Sequence, residues 1–573
     1  MNIEHQKAIV TMKADIIIKN GKIFSDKESS SIAIGDGRII DVGSEEKINA
    51  YAGDGVEVID AEGCSIIPAF IDAHLHSSSC TELYKTKLMY GFDRYPEESR
   101  QDYIDRMMAE LKKYCDENPD LPIIRSVGWN PAEFQEDPEG EPTCRDLDKI
   151  CSDRPMTMRS YDYHYLLVNS KVMEMGGITK DTPDPSGGMV RDENGEPTGL
   201  FREMQAIDIV FDNVELADFS VEEYKEGLMA FQEQYALPNG IMGVFDAYAS
   251  SNAMEAYHQL AEEGKLKIRV RSAWLADPSE GDEQFDKMVA EKGKYDVGED
   301  FQIDTIKFFC DEGLFGFYVI EPFEEEILKL NGLPEDYRGG SQWTDERLRK
   351  AFLKLSKAGF QIHVHCMGDA AVKQILDGFE YVRDQGVKGN RNAIAHIVNI
   401  TEEDMKRMAE LEVIASMQPS WPLYDGFAEN FSEPLLGRDR VLNQYPMGRL
   451  HRAGVVIASG TDFPVLTVIN PFIGIQIGVT RKNPKNSPDY EQYKDVICGP
   501  DDDPEIDCMT LEEMIKSYTA SGAYEMFTEN ITGSIECGKS ADILVLDRDL
   551  ENTDIMDVEF TQIKHRIFKG EMI

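Results

Sequence analysis

Basic residues are the scarce class in this 573-residue chain: 59 Lys and Arg stand against 106 Asp and Glu, a formal net charge of −47. A surface of that sign repels phosphate backbones and anionic lipid headgroups, which argues against nucleic-acid and membrane partners. Long uncharged apolar runs are missing too. The opening residues, MNIEHQKAIVTMKAD, have no apolar core of the signal-peptide kind, so a cytoplasmic protein is expected. The ten cysteines (64, 80, 115, 144, 151, 310, 366, 498, 508 and 537) include no CxxC pair. That spacing fits reduced, buried thiols and supports neither a disulfide framework nor a zinc finger. Histidine is equally sparse, at ten residues, so the places where histidines fall are informative.

The stretch Ile66 to His76, IIPAFIDAHLH, is an apolar run closing on two histidines one residue apart. Strand alternation puts Asp72, His74 and His76 on one face, so both imidazoles point the same way. By themselves they read equally well as two ligands of one metal ion or as two hydrogen-bonded core histidines. Before this stretch, residues 14–43 form short apolar runs punctuated by Asn20-Gly21 and Asp36-Gly37, both hairpin signals. Residues 533–547 and 560–570 are again strand and turn. Residues 1–65 and 533–573 are therefore expected to form one composite β-sandwich domain built from both ends of the chain.

Between them the chain alternates strands and helices. Candidate strands are 66–76, 241–248, 267–275, 303–311, 360–366, 392–397, 412–418 and 455–462, with amphipathic stretches at 221–235, 345–357 and 402–410. Eight such strands predict an α/β fold, a (β/α)8 TIM-like barrel over residues 66–532, with catalytic groups at the C-terminal strand ends. An insertion of about 160 residues after the first strand, placed at 80–235, is far beyond ordinary loop length and is expected to be a folded lid subdomain. It holds a hairpin-like piece, Gly187 to Glu203.

The unusual polar residues gather on these strands. On the fourth, DTIKFFCDE, Thr305, Lys307 and Phe309 share a face. A buried ammonium needs a carboxylate (Asp311 or Glu312 are near in sequence), a depressed pKa or covalent modification. The fifth strand, QIHVHCMGD, sets His363 and His365 on one face, with His365 nearer the C-terminal end as the preferred ligand and His363 as a supporting or packing residue. His396 ends the sixth apolar run, and Asp462 ends the eighth. Five of the ten histidines thus lie on putative barrel strands. Phe315, Phe317 and Tyr318 after the fourth strand, with Trp421 and Tyr424 after the seventh, read either as an apolar pocket or as packing under the insertion.

These segments, together with YDYHYLLVNSKVM, SGGMVRDENGEPTGLFRE, IASGTDFPV and GSIECGKSADILVLD, resemble the amidohydrolase superfamily over nearly the whole chain. Within it they are most similar to the amidohydrolase-3 (YtcJ-like) group, which includes N-substituted formamide deformylases. Two departures lie where substrate should bind. The chain has Asp162-Tyr163-His164 where the group usually has Gly between Asp and His, and EGLFGFYV follows Lys307 where small hydroxylated residues and an Arg are usual.

The resemblance implies that His74 and His76 bind the more buried of two divalent ions, zinc first, with iron, manganese or nickel as alternatives. Asp462 ligates the same ion and handles the proton of the attacking water. His365 and His396 hold the second ion, a carboxylated Lys307 bridges the two, and His164 lies near the substrate carbonyl. The implied activity is hydrolysis of a small-molecule non-peptide amide, such as an N-acyl or N-formyl amine, by a homodimeric enzyme. A cyclic amide or imide hydrolase, a one-metal deaminase and an inactive barrel acting as a binding protein are the alternatives.

Overall fold

The computed structural model describes residues 13–573 except 25, 90, 93, 96, 132–140, 161–164, 185–187, 203, 215–217, 312–315 and 331–332. The chain divides into two compact units, Met1–Ser78 with Leu228–Ile573, and Ser79–Gly227. The first unit holds one eight-stranded sheet whose strands lie side by side in chain order. They are β1 (Phe70–Leu75), β2 (Ile241–Asp246), β3 (Arg269–Leu275), β4 (Phe301–Phe309), β5 (Gln361–Cys366), β6 (Ala393–His396), β7 (Ile414–Met417) and β8 (Ile457–Ser459). Every neighbouring pair is parallel.

The two edges of this sheet meet. Beyond β8 the Asp462 amide donates to the His74 carbonyl and the His76 amide donates to the Phe463 carbonyl, each at 2.8 Å. The sheet thereby curls into the α/β barrel expected from the strand count. Gly460 makes the seam possible, because a Cβ there would lie 2.4 Å from the His74 amide nitrogen. Helices cover the strands through apolar stripes: in Asp345–Lys357, capped by Thr344, the buried Leu348, Ala351, Phe352 and Leu355 recur at helical spacing. On β4, Phe308 packs against Phe285, Trp343 and Phe352, whereas Lys307, one residue away, is fully buried on the opposite face.

The expected single strand 66–76 is two. Ser65–Pro68 pairs antiparallel with Ile543–Leu546, and only Phe70–Leu75 belongs to the barrel. The switch falls at Ala69, whose amide reaches Asp542 while that of Phe70 reaches Gly240. Pro68, with no N–H, cannot continue the ladder. The Asn20-Gly21 signal also resolves differently. Asp36-Gly37 turns the antiparallel pair Ser31–Gly35 and Arg38–Gly43, but Ile16–Lys19 and Lys22–Ile23, on either side of Asn20-Gly21, lie in different sheets. Ile66 fills the space beside Gly21, where a Cβ would stand 2.2 Å from its Cδ1, so the turn passes the chain between sheets and forms no hairpin. Both small sheets contribute to one cluster of Ile16, Ile18, Ile32 and Ile34 with Ile543, Val545 and Ile567.

The unit Ser79–Gly227 has a six-stranded sheet of its own, in which Met189–Arg191 pairs antiparallel with Pro197–Arg202. The long helix Arg100–Glu117 buries Tyr103, Met107 and Leu111 in a cluster with Trp129, Met156 and Leu200. Among the described residues no helix is long and apolar enough to cross a membrane.

One buried ion pair ties the barrel to the C-terminal segment. Arg269, at the start of β3, pairs with Asp542, and both side chains are almost fully buried. Asp542 also accepts from Thr532 Oγ1, Ser540 Oγ and the Lys569 amide. Replacing Asp542 with Asn keeps the shape but leaves the guanidinium without a countercharge. The expected loss is about 3 kcal/mol, the lower end for breaking a buried pair; an unchanged midpoint in chemical denaturation would contradict it.

Candidate metal centre

β1 carries His74, and His76 follows its end. Asp462 Oδ1 lies 3.5 Å from His74 Nε2 and 3.2 Å from His76 Nε2. Two ligands of one tetrahedral ion with arms of about 2.0–2.1 Å stand about 3.3 Å apart, so this is ligand spacing. These three residues offer donor atoms all within 4.8 Å of one another. Asp72 sets their registration. Its carboxylate accepts from Thr461 Oγ1 at 2.6 Å, from the Thr461 amide at 3.0 Å and from the His74 amide at 3.2 Å. It is thus a clamp across the β8–β1 seam that grips Thr461, the residue just before Asp462. Burial pushes the Asp72 carboxyl up to about 7, against the pull of these hydrogen bonds.

Strand register assembles the second group. Lys307 lies opposite His363, Phe309 opposite His365, and Cys366 opposite His396. The His365 and His396 rings are 4.5 Å apart and steeply inclined, and the His396 ring lies 4.9 Å from that of His74. Gln418, just past β7, holds His396 through Nδ1 at 2.8 Å. Asp462 and His396 both take left-handed backbone angles, φ +59° and +73°, a conformation costly to non-glycine residues and concentrated at functional sites.

Lys307 lies deep in this group, and among the described residues its ammonium has no hydrogen-bond partner. Asp311, a possible partner by sequence, is not available to it: its carboxylate accepts from the amides of Met367, Gly368 and Tyr318 at 2.9–3.0 Å. Glu312 lies outside the described residues. The face of Phe309 lies 4.9 Å from Lys307 Nζ. Burial brings the Lys307 pKa down to about 7, opposed by the attraction of Asp462. Burial likewise holds His74, His363 and His365 well below the ordinary imidazole range and His396 at about 4, with the Lys307 charge adding to each. Burial thus favours the neutral form of these rings, the form in which an imidazole has a lone pair for a cation.

The orphaned atoms fit a metal centre. Among the described residues, His74 Nε2, His365 Nε2, Asp462 Oδ1 and Lys307 Nζ are buried without hydrogen-bond partners, an arrangement costly in the absence of a ligand. Two neighbours of the centre carried no signal in the sequence, Gln418 and Glu525. Glu525 ends the helix Ala520–Glu525, and its Oε1 lies 3.2 Å from His363 Nδ1. Aromatic rings flank the group: Tyr248 at 5.2 Å from the His76 ring, Phe309 at 5.0 Å from His365 and Trp421 at 6.2 Å from His396. Tyr424 is not among them, since it packs on Tyr493 and its hydroxyl bonds Glu433. Phe317 is buried, and the Tyr318 amide serves Asp311. His164 and Phe315 lie outside the described residues.

A sequence profile described as the amidohydrolase family (amidohydrolase-3) matches residues 57–573. The chain belongs to the amidohydrolase family. This amidohydrolase is 27% identical to the putative amidohydrolase YtcJ of Bacillus subtilis over 555 residues, covering 95% of this chain and 96% of that one. It is 24% identical to the N-substituted formamide deformylase of Arthrobacter pascens, covering 94% of each. Its fold matches the crystal structure of an uncharacterized metal-dependent hydrolase from Pyrococcus horikoshii OT3, with a TM-score of 0.72 and 23% identity over 94% of this chain and 99% of that one. Membership makes the protein a hydrolase acting on carbon–nitrogen bonds.

Proposed function

We propose that this amidohydrolase cleaves a non-peptide amide, an N-acyl or N-formyl amine, at a two-metal centre. The observation that carries the reading is the meeting of His74, His76 and Asp462 at ligand spacing beside a buried, unpartnered Lys307. His74, His76 and Asp462 would hold one ion and His365 and His396 the second. Zinc suits these imidazole and carboxylate donors, and iron, manganese or nickel suit them too. When bound, such ions polarise the scissile carbonyl and bring the pKa of a water ligand to about 7.

The chain's own groups do the rest. Asp462 accepts the proton of the attacking water and delivers it to the departing nitrogen, giving a carboxylate and an amine. Lys307, with a pKa of about 7, is partly the free amine near neutrality. That form would take up carbon dioxide with loss of a proton, and the resulting anionic carbamate would suit divalent cations where an ammonium would repel them. The likeness to a formamide deformylase over nearly the whole chain supports the acyl-amine substrate class. Tyr248, Phe309 and Trp421, beside the centre, favour an apolar N-substituent.

Metal analysis of purified protein and a hydrolysis screen over N-acyl amines, lactams and hydantoins test this reading. About two ions per chain and turnover confined to open-chain amides are expected from the donor set. One ion with ammonia release would favour a deaminase, turnover of lactams or hydantoins a cyclic-amide hydrolase, and no bound metal would refute all three.

A further inference from the structure

His363 shares the strand face of the candidate ligand His365 yet is not placed to be a ligand itself. Its ring lies between two partners: Nε2 is 2.9 Å from His74 Nδ1, and Nδ1 is 3.2 Å from Glu525 Oε1. His74, His363 and Glu525 are all buried. Other contacts fix Glu525 and the His363 ring. The Glu525 main-chain carbonyl accepts from Gln361 Nε2 at 3.1 Å, Gln361 in turn binds Thr305 Oγ1 at 2.7 Å, and Phe245 packs 4.8 Å from the His363 ring.

We infer that Glu525 and His363 form a positioning relay that fixes the tautomer and ring angle of His74, leaving its Nε2 lone pair facing His76 and Asp462. With Glu525 ionised, its oxygen 3.2 Å from His363 Nδ1 favours the proton on that nitrogen, against the burial that raises this carboxyl to about 8. His363 Nε2 is then an acceptor, and the 2.9 Å contact requires His74 Nδ1 to donate to it. The proton of the neutral His74 ring is thereby placed away from the centre. Metal-bound histidines generally need such an outer partner to hold the ring and raise its basicity. Here the partner is a second histidine, backed by a carboxyl group from a helix remote in sequence.

The inference rests on the metal-centre reading, and two measurements separate their failures. In full-length protein, zinc affinity by competition with a chelator should fall about 10- to 100-fold in His363→Leu and Glu525→Leu. It should stay near wild type in His363→Gln and Glu525→Gln, whose amide oxygens still accept. In metal-free protein labelled with 15N-histidine, the His74 nitrogen shifts should report the Nδ1–H tautomer in wild type and lose it in His363→Leu. Glu525→Leu gives the same readouts where His363→Leu does not fold. Wild-type zinc affinity and unchanged His74 shifts in the Leu variants would overturn the relay. A wild-type chain that takes up no zinc would instead sink the metal reading, and the nitrogen shifts would then decide the relay alone.

Discussion

Replacing Asp462 with Asn should abolish hydrolysis while leaving the fold in place, a fall in turnover on the order of 10³-fold or more, towards the upper range for loss of a proton-transferring group. The substitution suits the backbone. Asp462 sits at φ +59°, a left-handed angle that Asn tolerates at least as well as Asp. Its amide remains free to donate to the His74 carbonyl, the bond that helps close the barrel seam. Only the side-chain chemistry changes: the amide cannot take a proton from water, and one anionic oxygen is lost opposite His74 and His76. The fold should persist, because no apolar contact is removed and the only electrostatic loss in the metal-free protein is the attraction of Asp462 for Lys307. Turnover at the wild-type rate would show that another group handles the proton. A large drop in stability would show that the carboxylate is a structural counterion.

Much of this centre was legible in the sequence because barrel geometry turns a linear pattern into a spatial one. Apolar runs between amphipathic segments mark parallel strands, and in a barrel the polar residues that end such runs converge. His74, His76, His365, His396 and Asp462 were visible for that reason, and Lys307 because an isolated cation on an apolar strand is conspicuous. The unread features depend on contacts between distant segments. Glu525 looks like any acid on an amphipathic helix, and only folding brings it to His363. Gln418 is an unremarkable polar residue after an apolar strand until its oxygen meets His396. Alternation placed Asp72 on the histidine face but gave no hint that it clamps Thr461 across the seam. The break at Pro68 was readable in principle, since a residue without an N–H interrupts a ladder. The apolar character of both flanks disguised it.

Lys307→Met should stabilise the metal-free protein, and by an amount that depends on pH. Burial brings the lysine from its ordinary 10.5 down to about 7 in the folded chain. Below about pH 7 it is protonated both folded and unfolded, so folding must bury the charge and the full penalty applies. Between about pH 7 and 10.5 the unfolded chain holds a proton that the folded chain lacks. Wild-type stability therefore climbs with pH across that window at about 1.4 kcal/mol per unit, to a total of roughly 5 kcal/mol. Methionine of similar length carries no charge, so the variant should lack this slope, exceed wild type by up to roughly 5 kcal/mol at pH 7 and below, and converge with it near pH 10.5. Denaturation midpoints of both proteins from pH 6 to 10, in the presence of a chelator, measure the difference. Parallel curves would mean that Lys307 finds a countercharge in the metal-free protein. Stabilisation of the metal-free chain by Met, combined with loss of turnover, would mark Lys307 as a residue retained for chemistry at a cost in stability. Carbamate formation, as proposed above, would account for that combination, because it would convert the destabilising cation into an anion suited to divalent ions.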